Sequence, residues 1–169
     1  MKTIKVKVYQ FSELDEQAKD KAREWARQGV DLSYVWDDVC EDAKNVGLKI
    51  ISLDQHRPNK GSFERQALYT ANMIIKDHGE KCSTYKTAKE FLDSFNKLGD
   101  EPDYDENYSA WKEWTEKMEE LDEEFLESLL SDYFYNAQKD EEFQFSDEAI
   151  DENIEANEYT FTKDGKRFG

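Results

Sequence analysis

Apolar and polar positions alternate near the start of the chain and then recur at helical spacing. Residues 3–9 place isoleucine and valines between lysines, which predicts a half-buried strand. Ser12 is predicted to cap a helix whose apolar side chains recur every three to four residues up to Gly29. A second helix is predicted over residues 33–46, and residues 48–53 (LKIISL) are typical of a strand.

The middle of the chain is predicted to be largely helical. Ser62 is expected to cap a third helix that ends at Gly79, with a strand over residues 62–69 as the competing interpretation. Residues 84–98 carry an apolar stripe that is followed by a glycine, which predicts a fourth helix. Residues 99–107 (GDEPDYDEN) form the most obvious linker, at the point where the composition becomes acidic.

The strongest amphipathic pattern covers residues 107–136. At about 100° per residue, large apolar side chains fall on one side of this helix and glutamates fall on the other. The apolar side is formed by Tyr108, Trp111, Trp114, Met118, Leu121, Phe125, Leu129 and Tyr133. Ser146 is predicted to begin a shorter acidic helix, and residues 159–168 alternate around an Asp-Gly turn, as in a terminal strand or hairpin.

Together these elements predict one α+β domain over residues 1–169. Its small antiparallel or mixed sheet is expected to combine residues 3–9, residues 48–53 and the C-terminal segment, with several helices covering it. The domain is divided by composition into a near-neutral scaffold (1–99), an acidic helical part (100–158) and a C-terminal strand or hairpin (159–169).

The distribution of charge follows the same division of the chain. Residues 1–99 contain 17 Lys or Arg against 16 Asp or Glu, a balance of +1, whereas residues 100–169 contain 6 against 24, a balance of −18; the net charge of −17 therefore comes from the second part. Disordered acidic tails are usually poor in aromatic residues, and this part is rich in them, which predicts a folded segment. The charge disfavours direct binding of nucleic acid or of anionic membranes and favours a basic protein as the partner.

Two cysteines, Cys40 and Cys82, are too few for a disulfide framework. The first residues lack the apolar core of a signal peptide, and no apolar run approaches the ~18 residues of a membrane span. We therefore expect a protein of the reducing cytoplasm. The oligomeric state stays open, because exposed aromatic residues beside the acid are compatible with a dimer contact.

Catalytic and metal-binding patterns are weak. His78 and Cys82 have a spacing found in metal sites, but Cys40 and His56 would have to complete the ligand set from distant positions. We expect no metal and no cofactor. A nucleophilic pair of Cys82 and His78 lacks an evident orienting group or oxyanion hole.

Other motifs are missing or incomplete. The chain contains no glycine-rich phosphate loop, no GxSxG and no HExxH. The segment that begins at Asp103 imitates a calcium loop, but Tyr108 stands where the loop needs glycine and Trp114 where it needs glutamate.

The glutamates of the long helix repel one another along its axis. Like charges at i,i+4 destabilise a helix by a few tenths of a kcal/mol each, and Glu116–Glu120, Glu120–Glu124 and Glu123–Glu127 are such pairs. The plain interpretation is a solvated face, but a sequence selected for stability alone would place more lysines there. The predicted partner-binding residues are Glu113, Glu116, Glu120, Glu123, Glu124, Glu127, Asp140, Glu141 and Glu142.

The charge density of this helix suggests a mode of binding. Residues 106–132 contain ten acids and two lysines over about 40 Å of helix, or one net charge per about 5 Å. One DNA strand carries a phosphate per about 3.4 Å. Carboxylates on a rigid helix could therefore occupy the Lys and Arg sites of a DNA-binding protein, as in small phage inhibitors of restriction or CRISPR systems.

Several short segments carry a family resemblance: residues 8–16 (VYQFSELDE), the KAREW motif that ends at Trp25, WDD at 36–38, YTA at 69–71 with HGE at 78–80, and the closing segment 159–168. This pattern resembles a family of small phage and prophage proteins without an assigned activity. The resemblance implies an origin in a phage or mobile element and action in the bacterial cytoplasm. It implies no catalytic residue.

The sequence thus favours a non-enzymatic acidic inhibitor of the anti-CRISPR or anti-restriction type, which binds a basic nucleic-acid-binding host protein. The alternative is a phage accessory or structural interaction protein whose acidity serves solubility only. A third interpretation is a small enzyme that uses His78 and Cys82.

Overall fold

Helices and short antiparallel strands build the fold, which confirms the predicted α+β class. The computed structural model describes residues 6–169. In chain order the elements are β1 (Tyr9–Gln10), a 3-10 turn (Phe11–Glu13), α1 (Glu16–Arg27), α2 (Ser33–Asn45), β2 (Leu48–Ser52), β3 (Lys60–Phe63), α3 (Ala67–Asp77), α4 (Ser83–Leu98), α5 (Tyr108–Gln144), α6 (Asp147–Ala156) and β4 (Thr160–Phe161).

The chain divides into two compact units. The terminal unit combines the residues up to Tyr34 with Lys139–Gly169, and the central unit is Val35–Gln138. The composition changes near residues 99–107, but this linker lies inside the central unit, between α4 and α5. The expected single domain over residues 1–169 stays a prediction.

The first helix of the terminal unit starts later than the sequence suggested. Ser12 is not its cap, because residues 11–13 form a separate 3-10 turn in which Glu13 accepts a hydrogen bond from the backbone N–H of Gln10 (2.8 Å). Asp15 caps α1 instead, and its carboxylate accepts from the N–H of Ala18 (2.9 Å). A short acidic side chain at this position stabilises the helix start.

The core of the terminal unit forms where α1 packs on α6 beneath β4. Ala18 and Ala22 of α1 are buried together with Ile150 and Ile154 of α6 and Phe161 of β4. The predicted cap of α6 is confirmed, since the Ser146 hydroxyl accepts from the N–H of Ala149 (3.2 Å). Small side chains on α1 let α6 approach closely, so two short helices bury a continuous apolar surface.

An ion pair reinforces this contact between α1 and α6. The Arg23 guanidinium donates through Nε and Nη2 to the two carboxylate oxygens of Asp151, each at 2.7 Å. These hydrogen bonds raise the pKa of Arg23 above its ordinary value. Arg27 pairs with Asp147 one turn away. The two arginines therefore fix the register of the helices in addition to the apolar packing.

The predicted sheet is wrong in its connectivity. Residues 3–5 lie outside the described residues, and residues 6–8 have no regular structure. Tyr9 of β1 lies opposite Phe161 of β4, and Phe161 also forms an antiparallel bridge with Arg167, as predicted for a hairpin around the Asp-Gly turn. Strand β2 does not join them. It pairs with β3 in a separate antiparallel hairpin in which Leu48 lies opposite Phe63. A short connection makes this local pairing entropically cheaper than a pairing with either end of the chain.

The same hairpin corrects the predicted third helix. Residues 60–63 form a strand, so α3 starts at Ala67 and not at Ser62. The competing strand interpretation is right for residues 62–63 only. The predicted helices at 33–46 and 84–98 are confirmed as α2 and α4 to within one residue at each end.

A row of stacked phenylalanines forms the aromatic core of the central unit. Phe125 of α5 lies between Phe63 of β3 and Phe91 of α4, with ring centroids 5.5 and 4.3 Å away. Phe95 continues the row at 6.3 Å from Phe91. Rings from three elements thus meet at one residue of the acidic helix.

Helix α5 is longer than the predicted 107–136, because it continues to Gln144. Residues 137–144 (AQKDEEFQ) contain neither glycine nor proline and consist mostly of good helix formers. The helix therefore ends only where Ser146 caps the next one. Its residues up to Gln138 belong to the central unit, and those from Lys139 belong to the terminal unit.

Candidate functional site: an acidic helix face

Six of the predicted partner-binding glutamates share one side of α5 in the central unit. At helical spacing they fall within a sector of about 100°, and each is exposed. We call these residues the glutamate ridge: Glu113, Glu116, Glu120, Glu123, Glu124 and Glu127.

The first part of the ridge is partly neutralised by two lysines, which the spacing of the glutamates alone does not reveal. Lys117 Nζ donates to Glu113 Oε1 at 2.6 Å, and Lys112 Nζ lies 3.7 Å from Glu116 Oε1. The hydrogen bond from Lys117 lowers the pKa of Glu113 below its ordinary value. Both are i,i+4 pairs of the kind that support exposed helices.

The second part of the ridge has no such compensation. Within residues 6–169, no Lys, Arg or His nitrogen lies within 4.0 Å of the carboxylates of Glu120, Glu123, Glu124 or Glu127. These four residues form the unpaired segment of the ridge. Four negative charges project from two turns of helix, and their mutual repulsion is left to solvent and salt.

Packing on the opposite side of α5 holds the unpaired segment in place. Phe125, Leu129 and Tyr133 of the predicted apolar stripe are each at most 3% exposed. The Tyr133 hydroxyl donates to Asp42 Oδ2 on α2 (2.9 Å), and burial raises the pKa of this hydroxyl above its ordinary value. The carboxylates at 120–127 therefore stand on a helix segment that is anchored in the core.

The start of α5 is held differently from the rest of the stripe. Tyr108 is 56% exposed, and Trp111 and Trp114 are only half-buried. The two tryptophans donate hydrogen bonds to the linker. The indole N–H of Trp111 donates to Glu101 Oε1 (3.0 Å), and that of Trp114 donates to the carbonyl of Gly99 (3.1 Å). This part of the stripe thus fixes the linker and does not belong to the buried core.

Two carboxylates on the apolar side of α5 were not among the predicted site residues. Asp122 lies between Met118 and Phe125 at helical spacing, and its Oδ1 is buried without a hydrogen-bond partner. Asp132 accepts a hydrogen bond from the Thr87 hydroxyl at 2.7 Å. Burial raises the pKa of both groups above their ordinary values. A helical wheel that marked acids as well as apolar residues could have found them.

Replacing Asp122 with asparagine is expected to stabilise the central unit at pH 7, by up to about 1 kcal/mol, because a buried charge without a partner is removed. The gain should shrink as the pH falls toward about 4, since the raised pKa of Asp122 lets the folded protein take up a proton before the unfolded chain does. Urea denaturation at several pH values measures this. The matched control is Glu119→Gln, which removes an exposed charge from the same helix. An equal gain from both substitutions would contradict the role of burial.

The remaining predicted site residues lie in the terminal unit. Asp140 and Glu142 are exposed, and Glu141 is half-buried and makes a contact of its own. The predicted set of nine is therefore divided between the two units, with six in the central unit.

The structure does not pair His78 with Cys82. His78 Nδ1 lies 2.8 Å from the Thr84 hydroxyl, and His78 Nε2 lies 3.5 Å from Asp42 Oδ2. The second distance is a close approach and not a hydrogen bond, because the geometry leaves Nε2 without an acceptor. Thr84 is 2% exposed, so the contact between His78 and Thr84 is buried in the central unit. His78 packs among three helices, whereas Cys82 is exposed at the start of α4.

Residues 6–169 contain no group of three or more His, Cys, Asp or Glu side chains placed to hold a metal ion. None of the helices in this part of the chain is long and apolar enough to cross a membrane. Fold and site together define an acidic α+β protein with an unpaired carboxylate face. Comparison with protein-family models, with curated proteins and with solved structures yields no match.

Proposed function

We propose that this protein is a non-enzymatic, phage-derived inhibitor that acts in the bacterial cytoplasm. Its unpaired segment binds a basic surface of a host defence or nucleic-acid-processing protein, in the manner of DNA. The observation that carries the proposal is the set of four exposed carboxylates without cations on a core-anchored helix. The origin in a phage rests on the resemblance of residues 8–16 and the other segments named above.

The spacing of the charges supports mimicry of DNA. Glu120 and Glu127 are seven residues apart, so the four carboxylates of the unpaired segment span about 10 Å along the helix axis. That is one charge per about 3.5 Å, close to the phosphate spacing of about 3.4 Å along one DNA strand. A groove lined with Lys and Arg for phosphates therefore meets a similar density of charge.

The proposal is tested by neutralising the unpaired segment. The variant Glu120→Gln/Glu123→Gln/Glu124→Gln/Glu127→Gln is compared with the control Glu148→Gln/Glu152→Gln/Glu155→Gln/Glu158→Gln, which removes the same charge from exposed positions of the terminal unit. Both proteins and the unchanged chain are used to capture partners from phage-infected cells. We expect a basic nucleic-acid-binding protein with the unchanged chain and with the control, and its loss with the first variant.

The stability of the captured complex should also depend on electrostatic attraction. Raising the salt from 50 to 300 mM is expected to weaken it at least tenfold, and double-stranded DNA should compete for the partner. Circular dichroism checks that both variants keep their helices. Equal capture by the two variants would contradict the proposal and would favour the alternative in which the acid serves solubility.

A further inference from the structure

A cleft between α4 and α5 adjoins the glutamate ridge. Its volume is about 180 Å³, and it lies entirely within the central unit. Its polar lining comes from two carboxylates, Glu90 and Glu124, and from the hydroxyls of Thr87, Ser94 and Ser128. Glu124 belongs to both the ridge and the cleft.

The apolar lining of the cleft is aromatic. Phe91 and Phe125 face each other with their centroids 4.3 Å apart and their planes 19° from parallel, and each is only 3% exposed. The small exposed parts of these rings form the apolar surface of the cleft together with Leu121. A ligand therefore meets carboxylates, hydroxyls and ring atoms in one small space.

The negative charge of the cleft is uncompensated. Among residues 6–169, no Lys, Arg or His nitrogen lies within 4.0 Å of Glu90 or Glu124. A third carboxylate, that of Asp132, lies 2.7 Å from the hydroxyl of the lining residue Thr87. Thr87 donates its hydroxyl proton to Asp132, so its oxygen keeps lone pairs free to accept.

The carboxylates, hydroxyls and ring atoms of the cleft together determine which kind of ligand fits it. An anion is repelled, and a neutral apolar group would leave the carboxylates without partners. A compact metal ion would leave the aromatic surface unused. An arginine side chain matches both parts, because its guanidinium donates five hydrogen bonds to the carboxylates and hydroxyls and its methylene stem packs on the exposed edges of the rings and on Leu121. The cleft is also roomier than the ~150 Å³ cavity that admits benzene in an engineered core.

We infer that this cleft binds one arginine side chain of the basic partner, between Glu90 and Glu124 and against Phe91 and Phe125. The inference rests on the proposed function, which it deepens. The ridge supplies the long-range attraction, and the cleft supplies an anchor that recognises arginine over lysine.

The test uses N-acetyl-arginine methylamide as the probe and amide NMR shifts of the full chain as the readout. Shifts at Thr87, Ser94 and Ser128 are expected to saturate at millimolar probe. N-acetyl-citrulline methylamide, which has the same shape without the charge, should bind at least tenfold more weakly, and the lysine analogue should be weaker than arginine.

Two double variants locate the site. Glu90→Gln/Glu124→Gln should weaken binding of the arginine probe at least tenfold. Asp93→Asn/Glu119→Gln removes the same charge from exposed positions of α4 and α5 that do not line the cleft, and should change the affinity less than twofold. Thermal unfolding confirms that both variants stay folded.

The outcomes separate this inference from the proposed function. Shifts spread along α5 with equal weakening in both double variants, or equal shifts with citrulline, would overturn the arginine site while leaving partner capture by the ridge intact. Localised arginine binding combined with partner capture that survives neutralisation of the unpaired segment would instead support the cleft and overturn the proposed function.

Discussion

Replacing Gly165 with alanine is expected to destabilise the terminal unit by more than about 3 kcal/mol. Gly165 has a φ of +82°, a conformation that costs other residues about 1–3 kcal/mol. A Cβ placed there would also lie 2.1 Å from the carbonyl oxygen of Ala18 and 2.8 Å from its carbonyl carbon. These are backbone atoms of α1, so the clash is relieved only if the turn after β4 moves away from the helix.

Urea denaturation, followed by amide exchange at Ala22 and Ile154, measures this loss. Gly99→Ala is the matched control, since Gly99 has a similar φ of +79° but no atom within 4 Å of the added Cβ. The control should cost about 1–3 kcal/mol from backbone strain alone, and therefore less than Gly165→Ala, which adds the clash with α1. Equal costs for the two substitutions would show that the turn does not press on α1 as described.

Replacing Phe125 with alanine is expected to cost the central unit about 3–5 kcal/mol. Its ring is 3% exposed and stacks on Phe63 and Phe91, so the deletion leaves a cavity between two other rings. The same change should also remove the binding of the arginine probe, because Phe125 lines the cleft.

Chemical denaturation of the Phe125→Ala variant and of the unchanged protein measures the loss in free energy of unfolding. Phe143→Ala is a useful control on the same helix, because its ring is 49% exposed and the substitution should cost about 0.5 kcal/mol or less. Phe125→Leu keeps much of the volume and should lose less than Phe125→Ala. A cost for Phe125→Ala as small as that of the control would contradict the central position of this ring.

Helices could be predicted well from this sequence because their signals are local. The start of α6 is marked by Ser146, and α2 and α4 are marked by an apolar stripe with a glycine one or two residues after the end. The glutamate ridge followed from the same periodicity. The charge of Lys112 and Lys117 was visible too, but only the structure shows that they neutralise the first part of the ridge.

The strands were harder to predict than the helices, because their partners are distant in sequence and their pairings are short. Two residues of β1 pair with two residues of β4 across 150 positions of sequence, and nothing local in Tyr9 specifies Phe161. The polar hairpin strand at 60–63 has little apolar alternation to mark it. The cleft was beyond prediction for a similar reason, since it depends on which sides of α4 and α5 meet.

The way the terminal unit is assembled has a consequence for how the chain folds during synthesis. Arg23 needs Asp151, and Tyr9 needs Phe161, so the first helix cannot complete its core until nearly the whole chain has left the ribosome. The central unit, by contrast, is continuous in sequence and can form earlier. A nascent chain of which residues 1–144 have left the ribosome should therefore carry a folded central unit together with an α1 that proteases still cleave.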